Sequence, residues 1–222
     1  MSFQPKHFDL RRTIAEVQSS RWIISAQGGE VAMNVAILLF PDAEVLDFCG
    51  PFEAFSVTTR VAQRDRNKDA VLFKAFFVAE TADIVTARYG FQVKPHYGFD
   101  AHPRVDLLVI PGGVMDQPRS SAKTIDWIKC NAQAAQRVAS VCTGAFLLAQ
   151  AGLLDGLKVT THWEDIDDLR REFPALDVVE NLAWVEAGRV ITSAGISAGI
   201  DMSFRLVSAL HDEELASTAA RQ

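Results

Sequence analysis

The stretch RVASVCTGAFLLAQA, residues 137–151, changes from a strand pattern to a helix pattern within two residues. Residues 137–141 are mostly small or β-branched, which predicts a strand buried on both faces, whereas residues 143–151 predict a helix. Cys142 lies at the junction. A strand that runs directly into a helix forces a tight turn and exposes the side chain at its apex, as in the nucleophile elbow of hydrolases.

The rest of the chain repeats this alternation of strand and helix. Buried strands are predicted at 31–40, 70–79 and 105–113, a further strand at 157–162, a hairpin at 84–96, two short strands within 183–195, and helices at 51–64, 122–136, 164–172 and 197–210. Such alternation is typical of an α/β fold with a mostly parallel central sheet. We expect residues 31–222 to form one domain and residues 1–30 an N-terminal extension, because Gly28 and Gly29 precede the first strand.

Composition limits the classes of function. The chain has 49% hydrophobic and 23% charged residues, values typical of a globular protein. Its net charge is −6 and it has no cluster of Lys or Arg, so no nucleic-acid partner is expected. The chain has three cysteines without the spacing of a disulfide framework, and its start does not resemble a signal peptide. It also has no apolar run long enough to span a membrane. We therefore expect a cytoplasmic protein without membrane contact. No motif with metal-ligand spacing occurs, so we expect neither a metal nor a cofactor.

Residues capable of chemistry follow several of the predicted strands. In parallel sheets, ligands bind beyond the carboxyl ends of the strands. Gly112 and Gly113 follow one strand, and their N–H groups are either an oxyanion cradle or part of a plain turn. Gly195 lies in SAGISAGID, residues 193–201, whose small side chains let the backbone approach a site.

Cys142 and Thr143 each have two interpretations. Cys142 is either a reactive thiol, with the start of the following helix favouring the thiolate, or a small buried hydrophobic residue. The Thr143 hydroxyl either orients a bound group or caps the helix.

Asp47 and His162 are the candidate proton-transfer groups. Asp47 stands between Leu46 and Phe48 just after a buried strand, where burial would raise the pKa of its carboxyl and allow proton donation at neutral pH. It could equally bond to local N–H groups of a loop. His162 ends a predicted strand and is either a base near Cys142 or a structural histidine.

Four blocks in succession resemble the motifs of the ThiJ/PfpI superfamily. They are LLFPDAEVLDFCGPFEAF (38–55), DLLVIPGG (106–113), SVCTGAFLLAQAGLLDGLKVTTHW (140–163) and ITSAGISAGIDM (191–202). The resemblance implies a flavodoxin-like three-layer sandwich of the class I glutamine amidotransferase type, with helices on both faces of the sheet. It also implies a cysteine on the nucleophile elbow and a homodimer.

Within the superfamily, Asp47 together with Cys142 and Thr143 is similar to the isonitrile hydratases. This resemblance implies a lyase that adds water to an isonitrile and releases an N-substituted formamide through a Cys142 thioimidate. Asp47 would supply the proton and later help to activate water, Thr143 would position substrate or water, and the Gly113 N–H would stabilise developing charge.

Two other functions are compatible with the same motifs. The chain is also similar to the amidase-like sensor domains of AraC-type regulators, here without a DNA-binding domain, which implies binding of a small metabolite or oxidation at Cys142. A glyoxalase- or deglycase-like activity is the third alternative.

Overall fold

A central β-sheet organises the molecule. The computed structural model describes residues 32–222, and the predicted extension at residues 1–30 lies outside the described residues. The strands of the described part are β1 (Met33–Leu38), β2 (Phe73–Ala79), β3 (Val85–Thr86), β4 (Gln92–Val93), β5 (Tyr97–Gly98), β6 (Leu107–Ile110), β7 (Arg137–Ser140), β8 (Lys158–Val159), β9 (Asp177–Val178), β10 (Trp184–Ala187) and β11 (Val190–Ser193). Seven of them form one sheet in the order β10-β11-β7-β6-β1-β2-β5.

The sheet is parallel except at one edge, where β10 runs antiparallel to β11. β6 and β7 are buried along their whole length, as are the last four residues of β1. Continuous apolar runs are what a parallel strand covered on both faces requires. The predicted mostly parallel sheet is therefore confirmed.

Six of the seven helices in the described part pack in two groups, one on each face of the sheet, and the helix Ile166–Glu172 packs against the strand Asp177–Val178. The helices of the described part are α1 (Val45–Asp65), α2 (Asp116–Ser120), α3 (Ala122–Ala134), α4 (Gly144–Gln150), α5 (Ile166–Glu172), α6 (Ile196–Leu210) and α7 (Glu213–Ala220), with 3₁₀ turns at Arg88–Gly90 and Trp163–Asp165. α1, α6 and α7 pack against one another, and α2, α3 and α4 form the second group. The architecture is the predicted three-layer sandwich. None of the described helices is long and apolar enough to cross a bilayer.

The order of the strands brings the candidate site residues to one edge of the sheet. β1 continues to β2 on one side, whereas the chain after β5 returns to β6 on the other side of β1. Ligand sites of open α/β sheets lie at such a switch point. Here the loop after β1 and the loop after β6 are joined by two backbone hydrogen bonds. The Glu44 N–H donates to the Gly112 carbonyl (2.9 Å), and the Val114 N–H donates to the Asp42 carbonyl (3.1 Å).

Helix α1 begins six residues before the predicted start at Pro51 and contains that proline. Tertiary packing explains the difference, because the preceding turn is held against its neighbours. The Phe48 ring packs edge-on against Phe77 at 5.6 Å between centroids. A side chain at Gly50 would come within 2.7 Å of Ile200, so glycine permits close contact with α6. The earlier start places Asp47 in the first turn of a helix instead of a loop.

The predicted strand at 157–162 is mostly wrong. Only Lys158–Val159 form a strand, and they pair with β9 outside the central sheet. The two threonines that follow do not pair as a strand, and hydroxyl groups take part in their hydrogen bonds instead. The Thr160 N–H donates to the Thr192 hydroxyl (2.8 Å), and the Thr161 hydroxyl donates to the Cys142 carbonyl (2.8 Å). These bonds attach the segment that ends in His162 to the central sheet. β5, β9, α2 and α7 were not predicted.

Candidate active site

Cys142 occupies a strained turn between β7 and α4. Its φ is 54°, in the left-handed region that non-glycine residues seldom adopt. Its N–H donates to the Ala194 carbonyl (2.8 Å), which anchors the turn to the end of β11. A side chain at Gly144 would overlap the carbonyl oxygen of Ile110, so the turn requires glycine there. This geometry is the tight strand-to-helix turn that was predicted at Cys142, and we call it the elbow.

Asp47 is a buried carboxyl group facing the elbow. It is fully inaccessible to solvent, and its Oδ2 accepts a hydrogen bond from the Gly112 N–H (3.0 Å). Burial raises the pKa of Asp47 from its ordinary 3.8 to about 7, while the Gly112 N–H and the Cys142 thiol act in the opposite direction. Among the described residues, Oδ1 has no hydrogen-bond partner of good geometry.

Burial also governs the Cys142 thiol, which is 8% exposed. It raises the pKa of this thiol to about 12, with a further contribution from the negative charge of Asp47. The Thr143 N–H lowers the pKa, as the start of a helix was predicted to do, but burial outweighs it. Between about pH 7 and about pH 12, the two pKa values leave one proton on the Cys142–Asp47 pair, with Asp47 as the carboxylate and Cys142 as the thiol.

Thr143 joins the elbow to the loop after β6. Its hydroxyl accepts a hydrogen bond from the Gly113 N–H (3.0 Å) and donates to the Gly113 carbonyl (3.2 Å). A side chain at Gly112 would lie within 2.8 Å of both Thr143 and Asp47. The two glycines thus let the loop fit between the carboxyl group and the threonine. Their N–H groups, predicted to be oxyanion donors, are directed at Asp47 and Thr143 in this structure.

His162 and Gly195 lie together beside the elbow. A Cβ atom at Gly195 would be 3.1 Å from His162 Cδ2, so the imidazole ring rests on the glycine backbone. Thr161, the residue before His162, binds the Cys142 carbonyl, and Ala194, the residue before Gly195, accepts the Cys142 N–H. The structure thus brings all seven predicted site residues to the same edge of the sheet.

Asp165 was not predicted as a site residue. Its Oδ2 lies 3.2 Å from His162 Nδ1, and its charge contributes to the raised pKa of Cys142. The pattern His-x-x-Asp at the start of a helical segment could have indicated this pair, since residues three apart face one another on a helical turn. Thr161 and the Ala194 carbonyl, which hold the elbow in place, were also missed.

Other features of the described residues do not compete with this site. A cavity of about 380 Å³ opens between the loops after β1 and β2, with Phe40, Ile84 and Gln117 in its wall, but Cys142 does not line it. Within residues 32–222, no group of three or more His, Cys, Asp or Glu side chains is arranged to hold a metal ion. We therefore place the site at the Cys142–Asp47 pair.

Known proteins match this chain in both sequence and fold. The family model of the DJ-1/PfpI family matches residues 33–209. The isonitrile hydratase of Pseudomonas putida is 34% identical over 181 residues, which cover 81% of this chain and 73% of that protein. A solved ThiJ/PfpI family protein from Pseudomonas syringae superposes with a TM-score of 0.74 at 30% identity, covering 85% of this chain and 73% of the other.

Regulators and other proteins share the fold. The transcriptional regulator CdhR of Pseudomonas aeruginosa is 29% identical over 83% of this chain, which spans about half (53%) of the regulator's length. Drosophila melanogaster DJ-1β superposes with a TM-score of 0.72 at 17% identity, covering 86% of this chain and 97% of that one, which supports the flavodoxin-like fold alone. On the family model, and on identity above 30% to a relative matched over most of its length, the chain belongs to the DJ-1/PfpI family.

Proposed function

We propose that this protein is a lyase that hydrates isonitriles to N-substituted formamides. The observation that carries the proposal is the pairing of Cys142, on a strained elbow, with a buried carboxyl group whose pKa is raised to about 7. The reaction needs a nucleophile and a proton donor for the same carbon atom, and such a pair supplies both. The 34% identity to the Pseudomonas putida enzyme favours this substrate class over others.

In the first step, the thiol adds across the terminal carbon of the isonitrile. The Cys142 proton passes to the Asp47 carboxylate, the thiolate attacks the electrophilic carbon, and Asp47 returns the proton to that carbon. The product is a thioimidate, R–N=CH–S–Cys142, and Asp47 is again a carboxylate. A pair with one shared proton can perform this step at neutral pH, although the pKa of the thiol alone is about 12.

In the second step, water adds to the thioimidate carbon and the imine nitrogen gains a proton. The C–S bond of the tetrahedral intermediate then breaks, the hydroxyl proton goes to the sulfur, and R–NH–CHO leaves. One isonitrile and one water give one formamide, so neither an oxidant nor a cofactor is consumed. Thr143 acts as a positioning residue, because its two hydrogen bonds to Gly113 fix the loop that carries the Asp47 partner Gly112.

The shape of the site agrees with this substrate class. Cys142 is only 8% exposed, so a bulky carbonyl compound has poor access to the sulfur. An isonitrile presents its reacting carbon at the end of a linear group, which can reach a recessed thiol.

The experiment is incubation of the purified protein with an alkyl and an aryl isonitrile, followed by chromatography of the formamide. We expect formamide from the wild-type protein and none from Cys142→Ala. Absence of turnover with every isonitrile tested would refute the function. Methylglyoxal consumption in the same preparation tests the glyoxalase-like alternative.

A ligand-sensing domain is the second candidate, favoured by the similarity to CdhR and by a further match to the transcriptional regulator GbdR at 28% identity. Under this alternative, a small molecule would bind beside Cys142 without turnover. A ligand that raises the melting temperature of the wild-type protein but remains chemically unchanged after prolonged incubation would support it. Peroxide oxidation of Cys142 no faster than that of the exposed Cys130 would argue against redox sensing.

A further inference from the structure

We propose that the cavity between the loops after β1 and β2 is a second binding site, separate from Cys142, for a small organic ammonium compound. Its volume of about 380 Å³ lies within the range of about 300–1,000 Å³ that is typical of small-molecule sites. Neither Cys142 nor Asp47 lines this cavity. The inference goes beyond the proposed function and does not depend on it.

The floor of the cavity is apolar apart from one side chain. Its apolar residues are at most 9% exposed, and they are Leu39, Phe40, Ala79 and Val85. Thr124, in the first turn of α3, is the buried polar residue of the lining and is 4% exposed. Such a floor favours the apolar part of a ligand and offers one hydroxyl group for a hydrogen bond.

The Thr124 hydroxyl has no partner in the described protein. The Thr124 N–H donates to the Ser121 hydroxyl at 3.2 Å, but within residues 32–222 the Thr124 hydroxyl makes no hydrogen bond. A hydroxyl group of a buried residue is costly to leave unpaired. Because Thr124 lines the cavity, a hydroxyl or carbonyl group of a ligand can pair with it there.

The mouth of the cavity carries negative charge. Glu80 and Asp83 are exposed residues of its wall, and the lining contains no Lys, Arg or His side chain. Glu80 pairs with Lys123, with 3.1 Å between Oε1 and Nζ. Asp83 Oδ2 accepts a hydrogen bond from the Thr81 hydroxyl (2.9 Å), and in the described part of the chain no cationic side chain pairs with Asp83. Asp83 is therefore an oriented carboxylate that can bind an ammonium group, whereas an anion would be repelled.

The two ends of the cavity define the chemistry of the ligand. An ammonium group pairs with Asp83 at the mouth, and an apolar chain covers Phe40 and Ala79. A hydroxyl group at the far end of the chain pairs with Thr124. Linear amino alcohols combine these three parts and are the test ligands.

The cavity and the elbow use different parts of one loop. Phe40 and Pro41 line the cavity, whereas the next residue, Asp42, accepts the Val114 N–H through its carbonyl at 3.1 Å. That hydrogen bond joins the loop to the segment beside the elbow. A ligand in the cavity therefore does not occupy the position of a substrate at Cys142, and both sites can be filled together.

The test is isothermal titration calorimetry of the full chain with linear amino alcohols of increasing chain length. We expect saturable binding of at least one of them, and weaker binding of the diol in which a second hydroxyl replaces the ammonium group. The hydroxy carboxylate of the same length should not bind. Added salt should weaken binding of the amino alcohol, because it screens an exposed charge pair.

Two substitutions locate the ligand. Thr124→Val keeps the shape of the side chain and should weaken binding of the amino alcohol about three- to tenfold, through loss of one hydrogen bond. Binding of the alkylamine without a hydroxyl group should not change in this variant, which separates a direct contact from a general disturbance of the cavity. Asp83→Asn should weaken binding of the amino alcohol about two- to fivefold and remove its advantage over the diol.

Matched control variants show whether these losses are local. Thr58→Val removes another buried threonine hydroxyl, which donates to the Ala54 carbonyl at 2.7 Å within α1. Asp69→Asn removes another exposed carboxylate. Neither residue lines the cavity, so both variants should bind the amino alcohol with wild-type affinity, and so should Cys142→Ala.

Each possible failure has a separate meaning. Equal affinities for the amino alcohol and the diol would overturn the assignment of an ammonium ligand. Unchanged affinity in both Thr124→Val and Asp83→Asn would place the ligand elsewhere and overturn the site, and absence of binding by every amino alcohol would overturn the inference as a whole. Formamide release is measured separately, so failure of the proposed function would leave these outcomes unaffected.

Discussion

Replacement of Asp47 by asparagine should stabilise the folded protein at alkaline pH and much less at acidic pH. The native pKa of Asp47 is raised to about 7 by burial, whereas the unfolded chain titrates near 3.8. The native state therefore binds the proton more tightly than the unfolded state does. Stability is greatest below about pH 4, falls as the pH rises from about 4 to about 7, and then stays low.

The size of this effect follows from the two pKa values. The rise in the pKa of Asp47 from 3.8 to about 7 corresponds to about 4 kcal/mol in the free energy of unfolding. The wild-type protein loses this stability as the pH increases from the unfolded pKa to the native pKa. Asparagine is never charged, and its side-chain oxygen can still accept the Gly112 N–H. Between pH 4.5 and pH 8, the free energy of unfolding of Asp47→Asn should therefore gain about 3 kcal/mol relative to wild type.

Urea denaturation at pH 4.5 and pH 8, followed by tryptophan fluorescence, measures this difference. Titrating groups that do not interact with Asp47 contribute equally to both proteins and cancel. Asp106→Asn is the matched control, because Asp106 also accepts a backbone N–H, from Asn34 at 3.0 Å, and it lies 3.5 Å from Arg104. This variant should lose stability at both pH values. An Asp47→Asn protein with no relative gain at pH 8 would refute the account of Asp47 as a carboxyl group whose pKa is raised by burial.

Three further predictions concern the same site. Thr143→Val should lower the free energy of unfolding by about 1–3 kcal/mol, because the Gly113 N–H loses its acceptor. Thr143→Ser keeps a hydroxyl acceptor and should retain most of the wild-type stability. Equal urea midpoints for the two variants would contradict this expectation. Gly144→Ala should lower the free energy of unfolding by about 1–3 kcal/mol, since its methyl group would overlap the Ile110 carbonyl oxygen. An unchanged urea midpoint would show that the turn can relax without cost. The rate at which an isonitrile adds to Cys142 should rise with pH through about 7 and then level, because Asp47 must be a carboxylate to accept the thiol proton. A rate that falls over this range would show that Asp47 has to be protonated for the addition.

The sequence was informative where one physical constraint dominates. Buried parallel strands need continuous apolar runs, and Cys142 stands between such a run and a helix, so both the sheet and the elbow could be predicted. The carboxyl ends of parallel strands share one edge of a sheet, which explains why Asp47, Gly112 and Gly195 converge.

Features that depend on tertiary contacts could not be predicted in this way. α1 begins at Val45 because Phe48 and Gly50 pack against other elements, and Pro51 alone suggested a later start. The segment before His162 was predicted as a strand, but the hydroxyl groups of Thr161 and Thr192 hold it in place, and a sequence pattern does not reveal such bonds.

The balance of effects at the thiol also lies beyond sequence. A helix start favours the thiolate, but the burial that opposes it depends on the packing around Cys142. The role of Asp165 depends on the turn that places it 3.2 Å from His162.

The most direct test of the central claim is formamide release from an isonitrile by the wild-type protein, Cys142→Ala and Cys130→Ala, measured in parallel at pH 8. Cys130 is an exposed cysteine and so controls for general thiol chemistry. The account predicts turnover by the wild-type protein and by Cys130→Ala, and none by Cys142→Ala. Undiminished formamide release by Cys142→Ala would contradict it.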